Sequence, residues 1–110
     1  MRILLLAATV TAGLIVNNVA LAGGGDPELG RTKSMTCTAC HGPDGRGTAP
    51  IYPVLAGQHE EYLAHALRQY RSGERDNAIM AGFVNGLSDN DIADLAAWFA
   101  SMDGLETAVP

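Results

Sequence analysis

The sequence has little cysteine and almost no lysine, and its acidic residues outnumber its basic ones. The 110 residues include two cysteines, and a zinc site would need a second pair of ligands that no further cysteine supplies. The formal net charge is −5 at pH 7, which argues against nucleic acid and anionic membranes as partners. The single lysine, Lys33, gives no basis for a lysine-ringed binding face. No stretch has the pattern of a strand, so we predict an all-α protein.

The first 22 residues have the features of a secretory signal peptide. Arg2 provides the positive start, residues 3–16 form an apolar run, and residues 20–22 fit the small-x-small cleavage pattern. The run is too short to span a membrane comfortably, so no membrane anchor is expected. We therefore predict cleavage after Ala22, export to the periplasm, and one domain over residues 23–110. Removing Arg2 takes the net charge from −5 to −6.

The segment with the clearest chemistry is Cys37-Thr38-Ala39-Cys40-His41. C-x-x-C-H is the signature of covalent c-type haem attachment: the two thiols add to the haem vinyl groups, and the histidine becomes an axial iron ligand. Thiols three residues apart lie about one helical turn apart, on one side of a helix. A dithiol redox pair of the thioredoxin type would need a strand–helix context that the sequence lacks.

Helix signals predict three main helices, over 27–36, 59–72 and 88–102. Gly30 lowers the helix propensity of the first, which is tolerable if another helix crosses closely there. The apolar stripe of the second comprises Tyr62, Leu63, Ala66, Leu67 and Tyr70. Ser88 and Asp91 form a capping-box pattern at the start of the third. Residues 42–57 are rich in glycine and proline, and we expect this loop to wrap a haem edge.

The sixth iron ligand decides between electron transfer and ligand chemistry. Met80 is the favoured donor because residues 75–82 form an irregular segment between helices, where the chain can return over the opposite haem face. Four weaker alternatives are Met35, too close to His41; Met102, expected in the core; and His59 and His65, expected to be exposed.

With these features in order, the chain resembles the class I cytochromes c of bacteria, particularly the small domains that carry L-A-G-Q, here Leu55 to Gln58. The likeness covers residues 25–102. It implies three main helices and loops wrapped around one haem c, bound covalently by Cys37 and Cys40 and ligated by His41 and Met80. It also implies that a proline carbonyl, of Pro50 or Pro53, accepts the proton-bearing nitrogen of the ligand histidine.

The resemblance and the ligand set together predict a one-electron carrier and not an enzyme. A redox donor and a redox acceptor would dock weakly and transiently at the haem edge. Arg31, Lys33 and Arg46 either steer an acidic partner or are ordinary surface charges. Two alternatives remain: a haem enzyme or gas sensor with an open or labile sixth position, and a cytochrome subunit bound permanently to a redox complex.

Overall fold

The computed structural model describes residues 24–106, so the predicted signal peptide lies outside the described residues. Within that range the chain forms five α-helices and a 3₁₀ turn at Ser34–Thr36. The helices are α1 (Pro27–Lys33), α2 (Thr38–His41), α3 (Glu60–Ser72), α4 (Ala78–Val84) and α5 (Asp89–Ser101). None of the described residues lies in a strand, which confirms the all-α prediction.

Helix α1 begins as predicted but ends early. The Asp26 carboxylate caps it by accepting the N–H groups of residues 28 and 29, and Pro27 occupies the first turn. The predicted helix through Thr36 stops at Lys33, and the next three residues tighten into the 3₁₀ turn. The Cys37 N–H donates to the Ser34 carbonyl at 2.8 Å, the i to i+3 pattern of that turn.

Helices α1 and α5 cross at Gly30, which has no side chain. A Cβ atom added at Gly30 would overlap the Asp94 carbonyl and lie 2.7 Å from Trp98 Cβ. A Cβ atom at Gly25 would overlap the backbone of Ala93 in the same way. The close crossing expected at Gly30 is therefore confirmed, because only glycine lets the two backbones approach this closely.

The hydrophobic core lies between α3 and α5. Its buried cluster comprises Leu63, Ala64, Ile92, Leu95, Ala96 and Phe99. Tyr62 was predicted to share this stripe, but it is 48% exposed and Ala64 is buried instead. The buried face of α3 is thus turned toward α5, and Tyr62 lies at its edge. The predicted capping box of α5 is confirmed: Ser88 Oγ accepts the Asp91 N–H at 3.1 Å, and Asp91 Oδ2 accepts the Ser88 N–H at 3.0 Å.

Candidate haem-binding site

Helix α2 presents the two cysteines from one turn of backbone. The N–H groups of Cys40 and His41 both donate to the Cys37 carbonyl, at 3.3 and 3.0 Å. Both thiols are free and half-buried. Burial raises the pKa of the Cys37 thiol, and the smaller effect of a hydrogen bond to Thr36 opposes it. A reactive dithiol is favoured by a lowered pKa, and the shift at Cys37 is in the opposite direction.

The His41 ring is buried and held in one orientation. Only 7% of the residue is exposed, and its Nδ1 lies 2.9 Å from the Pro53 carbonyl oxygen. Because a carbonyl oxygen can only accept, Nδ1 carries a proton, and in the neutral ring Nε2 keeps its lone pair. This is the tautomer and the second-shell contact that a metal-binding histidine needs. The sequence left Pro50 and Pro53 open, and the structure selects Pro53.

The loop after α2 folds back on the helix and fixes the position of Pro53. The Gly47 N–H donates to the His41 carbonyl at 2.7 Å, and the Thr48 N–H donates to the Cys40 carbonyl at 2.9 Å. Gly42 turns the chain away from α2 with φ of 81°, a left-handed conformation that favours glycine. The attachment segment and the loop that orients its histidine are therefore one hydrogen-bonded unit.

Met80 lies on a helix, so the irregular segment predicted for residues 75–82 is confirmed for 75–77 and wrong for 78–82. Helix α4 begins after Asn77, whose side-chain oxygen accepts the Met80 N–H at 3.0 Å. Asparagine is a strong N-cap residue, and this signal could have revealed the helix from the sequence. Helix α4 has seven residues and contains Gly82, so its apolar residues give only a weak helical periodicity. The Met80 side chain is half-buried in the first turn.

The structure separates Met80 from the four competing donors. Met35 is 71% exposed, in the turn just before the cysteines. Met102 packs against the core cluster, as the sequence predicted. His59 and His65 are exposed, also as predicted. Met80 is thus the half-buried thioether that is not already part of the core.

Exposed apolar side chains lie beside both candidate axial ligands. They are Val54 (37% exposed) in the loop that holds Pro53, and Ile79 (67%) and Phe83 (50%) on α4. A porphyrin ring needs apolar contacts on both faces. Together with two free thiols, an imidazole with a free Nε2 and a thioether, these side chains make a donor set and surroundings that fit haem c.

The three cations considered for partner steering are already neutralised within the chain. Their ion pairs are Arg31 with Glu28 at 3.2 Å, Arg46 with Asp103 at 3.5 Å, and Lys33 with Asp91 at 2.7 Å and Asp94 at 2.6 Å. The structure therefore gives no support to a basic patch of Arg31, Lys33 and Arg46 that would steer an acidic partner.

Comparison with known proteins agrees with this geometry. The family described as cytochrome c matches residues 27–103 of the chain. The chain belongs to the cytochrome c family. This cytochrome is 49% identical over 82 residues to cytochrome c-554(548) of Halomonas halodenitrificans, a match that covers 72% of this chain and 99% of that relative. It is 44% identical over 101 residues to cytochrome c4 of Pseudomonas aeruginosa, with 92% of this chain and 49% of the relative covered.

A solved structure has the same fold. The reduced cytochrome c4 of Pseudomonas stutzeri superposes with a TM-score of 0.70 at 41% identity, over 74% of this chain and 47% of that one. This cytochrome thus spans about half the length of the cytochromes c4 that it matches. It has a class I cytochrome c fold, carries covalently attached haem c with its iron, and acts in electron transfer. In the part of the chain described here, no helix has the length and apolar character required to cross a membrane.

Proposed function

We propose that this cytochrome is a periplasmic one-electron carrier, made by cleavage after Ala22, whose haem is attached through Cys37 and Cys40 and ligated by His41 and Met80. The observation that carries the proposal is the 2.9 Å contact between His41 Nδ1 and the Pro53 carbonyl. That contact places a proton on Nδ1, so that Nε2 is the nitrogen that would bind the haem iron. When bound, the haem supplies reversible one-electron chemistry at its iron.

The two proposed ligands, His41 and Met80, would have opposite effects on the reduction potential of the haem iron. The Pro53 carbonyl polarises the His41 imidazole, which makes Nε2 a stronger donor and favours ferric iron. The soft thioether of Met80 favours ferrous iron and raises the potential relative to two histidines. With His41 and Met80 both holding the iron, no position would remain for a substrate at the metal, and for this reason we propose a carrier and not an enzyme.

The surface around the attachment segment favours a brief contact with a redox partner. Met35 and Ile51 are 71% and 79% exposed, one in the turn before the cysteines and the other in the loop that returns over α2. The nearby cations are paired internally, so charge steering by them is weak. A small apolar contact next to the haem edge suits a redox donor and acceptor that dock weakly and transiently.

A Met80→Ala variant tests the ligand assignment. Removal of the thioether opens the sixth position, so the reduced variant binds carbon monoxide, and the oxidised variant loses the methionine-to-iron charge-transfer band. Met35→Ala is the matched control, because it removes a thioether from an exposed site. If Met80→Ala keeps the band and excludes carbon monoxide as the wild type does, Met80 is not the ligand and the carrier mechanism fails.

The same two exposed side chains also support a second candidate, a cytochrome subunit bound permanently to a redox complex. Exposed apolar groups in a stable interface would be buried by the partner. Extraction of the native protein from its source separates the two candidates. A carrier elutes alone at the size of one domain, whereas a bound subunit elutes with its partner in a fixed ratio.

A further inference from the structure

One arginine in the last turn of α3 joins that helix to the start of α5. The Arg71 Nη1 group donates to the Leu87 carbonyl at 3.0 Å, and its Nη2 group donates to Asp89 Oδ1 at 2.6 Å. The Arg71 side chain is 29% exposed, so these bonds are partly shielded from water. A planar guanidinium can reach two separate acceptors at once. We call these two contacts the Arg71 clamp.

Both acceptors of the Arg71 clamp are fixed to the rest of the fold. Leu87 packs against the core cluster, and its N–H donates to the Val84 carbonyl at 3.0 Å. Asp89 is the first residue of α5, and the hydrogen bond and then the charge of Arg71 lower the pKa of its carboxyl. The clamp therefore ties the end of α3 to the beginning of α5 at two points.

The Arg71 clamp closes the chain segment that carries Met80. Its contacts join positions 16 and 18 residues apart, and residues 73–86, with all of α4, lie between them. Within α4 only Val84 is buried, and Ile79 and Phe83 are 67% and 50% exposed. A segment with few buried side chains opens locally at a lower free-energy cost than the core. Contacts at its two ends therefore matter more than they would for a buried helix.

The backbone has room to turn at both ends of this segment. Gly73 ends α3 in the left-handed conformation, with φ of 81°, and Gly86 directly precedes Leu87. A Cβ atom added at either glycine would meet nothing within 4 Å. The segment can therefore swing without a steric clash at these two positions, and the Arg71 clamp is the polar contact that opposes this motion.

Replacement of the Met80 thioether by an outside ligand requires α4 to move. In the proposed function the thioether fills the sixth position of the haem iron, so a new ligand binds only to molecules in which the segment is open. We propose that Arg71 is a positioning residue for Met80: its clamp keeps the α4 segment closed and thereby limits ligand replacement. This role rests on the proposed function, since it assumes ligation by Met80. The apparent affinity for an outside ligand then scales with the open fraction.

An imidazole titration of the haem-loaded ferric protein, followed by the methionine-to-iron charge-transfer band, tests this role. The thioether leaves the iron, an imidazole nitrogen replaces it, and the iron stays ferric. We expect Arg71→Gln to bind imidazole about fivefold more tightly than the wild type, the size of one net hydrogen bond. Arg68→Gln is the matched control, because Arg68 is exposed on α3 and acts on Asp89 through charge alone. It should bind imidazole as the wild type does.

Three further variants separate positioning from general stability. Arg71→Lys keeps the charge without the planar fork, so it should bind imidazole only about twofold more tightly. Asp89→Asn leaves the Leu87 contact in place and should have a similar, about twofold effect, even if Arg71→Gln takes up haem poorly. Gly30→Ala disturbs the crossing at Asp94 and not the clamp. It should lower the stability of the whole fold and leave the imidazole affinity unchanged.

Amide hydrogen exchange of the same variants follows the opening without reference to the iron. The N–H groups of Ala81 and Asn85 donate within α4, to the carbonyls of Asn77 and Ala81 at 2.9 and 3.0 Å. Their exchange with deuterated water reports local opening. We expect both to exchange about fivefold faster in Arg71→Gln than in Arg68→Gln, while the Leu63 N–H in α3 exchanges at the same rate in both.

Equal imidazole affinities and equal exchange rates for Arg71→Gln and Arg68→Gln would overturn the proposal. A gain in imidazole affinity for Gly30→Ala as large as that for Arg71→Gln would also overturn it, because the effect would then be general stability. A charge-transfer band in the wild type, with an imidazole affinity that Arg71→Gln does not change, rejects the role of Arg71 alone. Absence of the band from the wild type rejects ligation by Met80, and the role of Arg71 with it.

Discussion

The crossing of α1 and α5 and the α3–α4 segment are stabilised in different ways. At the crossing, Gly30 lets two backbones touch, and Lys33 joins the carboxylates of Asp91 and Asp94 at 2.7 and 2.6 Å. Asp94 is buried and also accepts the Asp26 N–H at 2.8 Å. Among the described residues, no buried side-chain nitrogen or oxygen atom lacks a hydrogen-bond partner.

The α3–α4 segment leaves its side chains available. Of the residues in α4 only Val84 is buried, whereas Ile79 and Phe83 are mostly exposed and Met80 is half-buried. Among the described residues, Arg75 of this segment forms no ion pair with a carboxylate. The two regions therefore differ in how far their side chains are paired within the chain: the crossing is closed, and the α3–α4 segment is the one that, in our proposal, supplies an iron ligand.

The largest effect should come from overpacking the crossing. Gly30→Ala places a methyl group against the Asp94 carbonyl, so the free energy of unfolding should fall by roughly 1–3 kcal/mol. Denaturant unfolding of the haem-loaded protein measures this change. Gly86→Ala is the control, because a Cβ atom there meets nothing within 4 Å. Equal stabilities of the two variants would show that the crossing is not tight.

The next effect concerns the cap of α4. Asn77→Ala removes the acceptor of the Met80 N–H and should weaken α4 by about 1 kcal/mol. Because the loss is local to the helix that carries Met80, we expect added imidazole to displace the methionine more readily from ferric iron. An imidazole titration followed by absorption measures it. Ser88→Ala, which removes the cap of α5, should lower stability and leave that titration unchanged.

A smaller effect of opposite sign is expected in the middle of α4. Gly82 has no neighbour within 4 Å of an added Cβ atom, so Gly82→Ala should raise the free energy of unfolding by about 0.5–1 kcal/mol. Thermal unfolding of the holoprotein measures the gain. A loss of stability would mean that this side of α4 is covered in the holoprotein, and the contrast with the crossing would then be smaller than described.

The smallest expected effect is the pH dependence of stability that comes from the ion pairs of Lys33 at the crossing. Lys33, followed by the Ser88 backbone and side chain, lowers the pKa of Asp91 to about 2, and Lys33 also lowers the pKa of Asp94. A carboxylate with a lowered pKa stabilises the fold above its ordinary pKa of about 4 and loses that effect as the pH falls to about 2. Lys33→Gln should therefore be less stable than the wild type at neutral pH.

The stabilities of the wild type and Lys33→Gln should also be compared at acid pH. The stability difference between Lys33→Gln and the wild type should shrink as the pH falls from about 4 toward about 2, because Asp91 takes up its proton in this range. Arg31→Gln removes an exposed pair and should change little at any pH. A difference for Lys33→Gln that persists at acid pH would show that its contribution is packing and not charge.

Local signals in the sequence predicted most of the scaffold. The caps at Asp26 and Ser88 and the close approach at Gly30 follow from the chemistry of a few adjacent residues. The haem attachment segment could also be predicted from the sequence, because its two cysteines and its histidine lie within five consecutive residues.

Contacts between distant residues were not predictable in the same way. Lys33 looked like surface charge because its partner Asp94 is 61 residues away, and the choice of Pro53 depends on how the loop folds back on α2. Helix α4 was missed because seven residues containing a glycine give a weak periodic pattern.

The most direct test of ligation by His41 and Met80 is the absorption spectrum of the haem-loaded protein, oxidised and reduced, with and without carbon monoxide. We predict a low-spin c-type spectrum with the methionine-to-iron charge-transfer band when oxidised, and no change on adding carbon monoxide when reduced. A high-spin spectrum that shifts with carbon monoxide would contradict the account and make the sensor or enzyme alternative the better one.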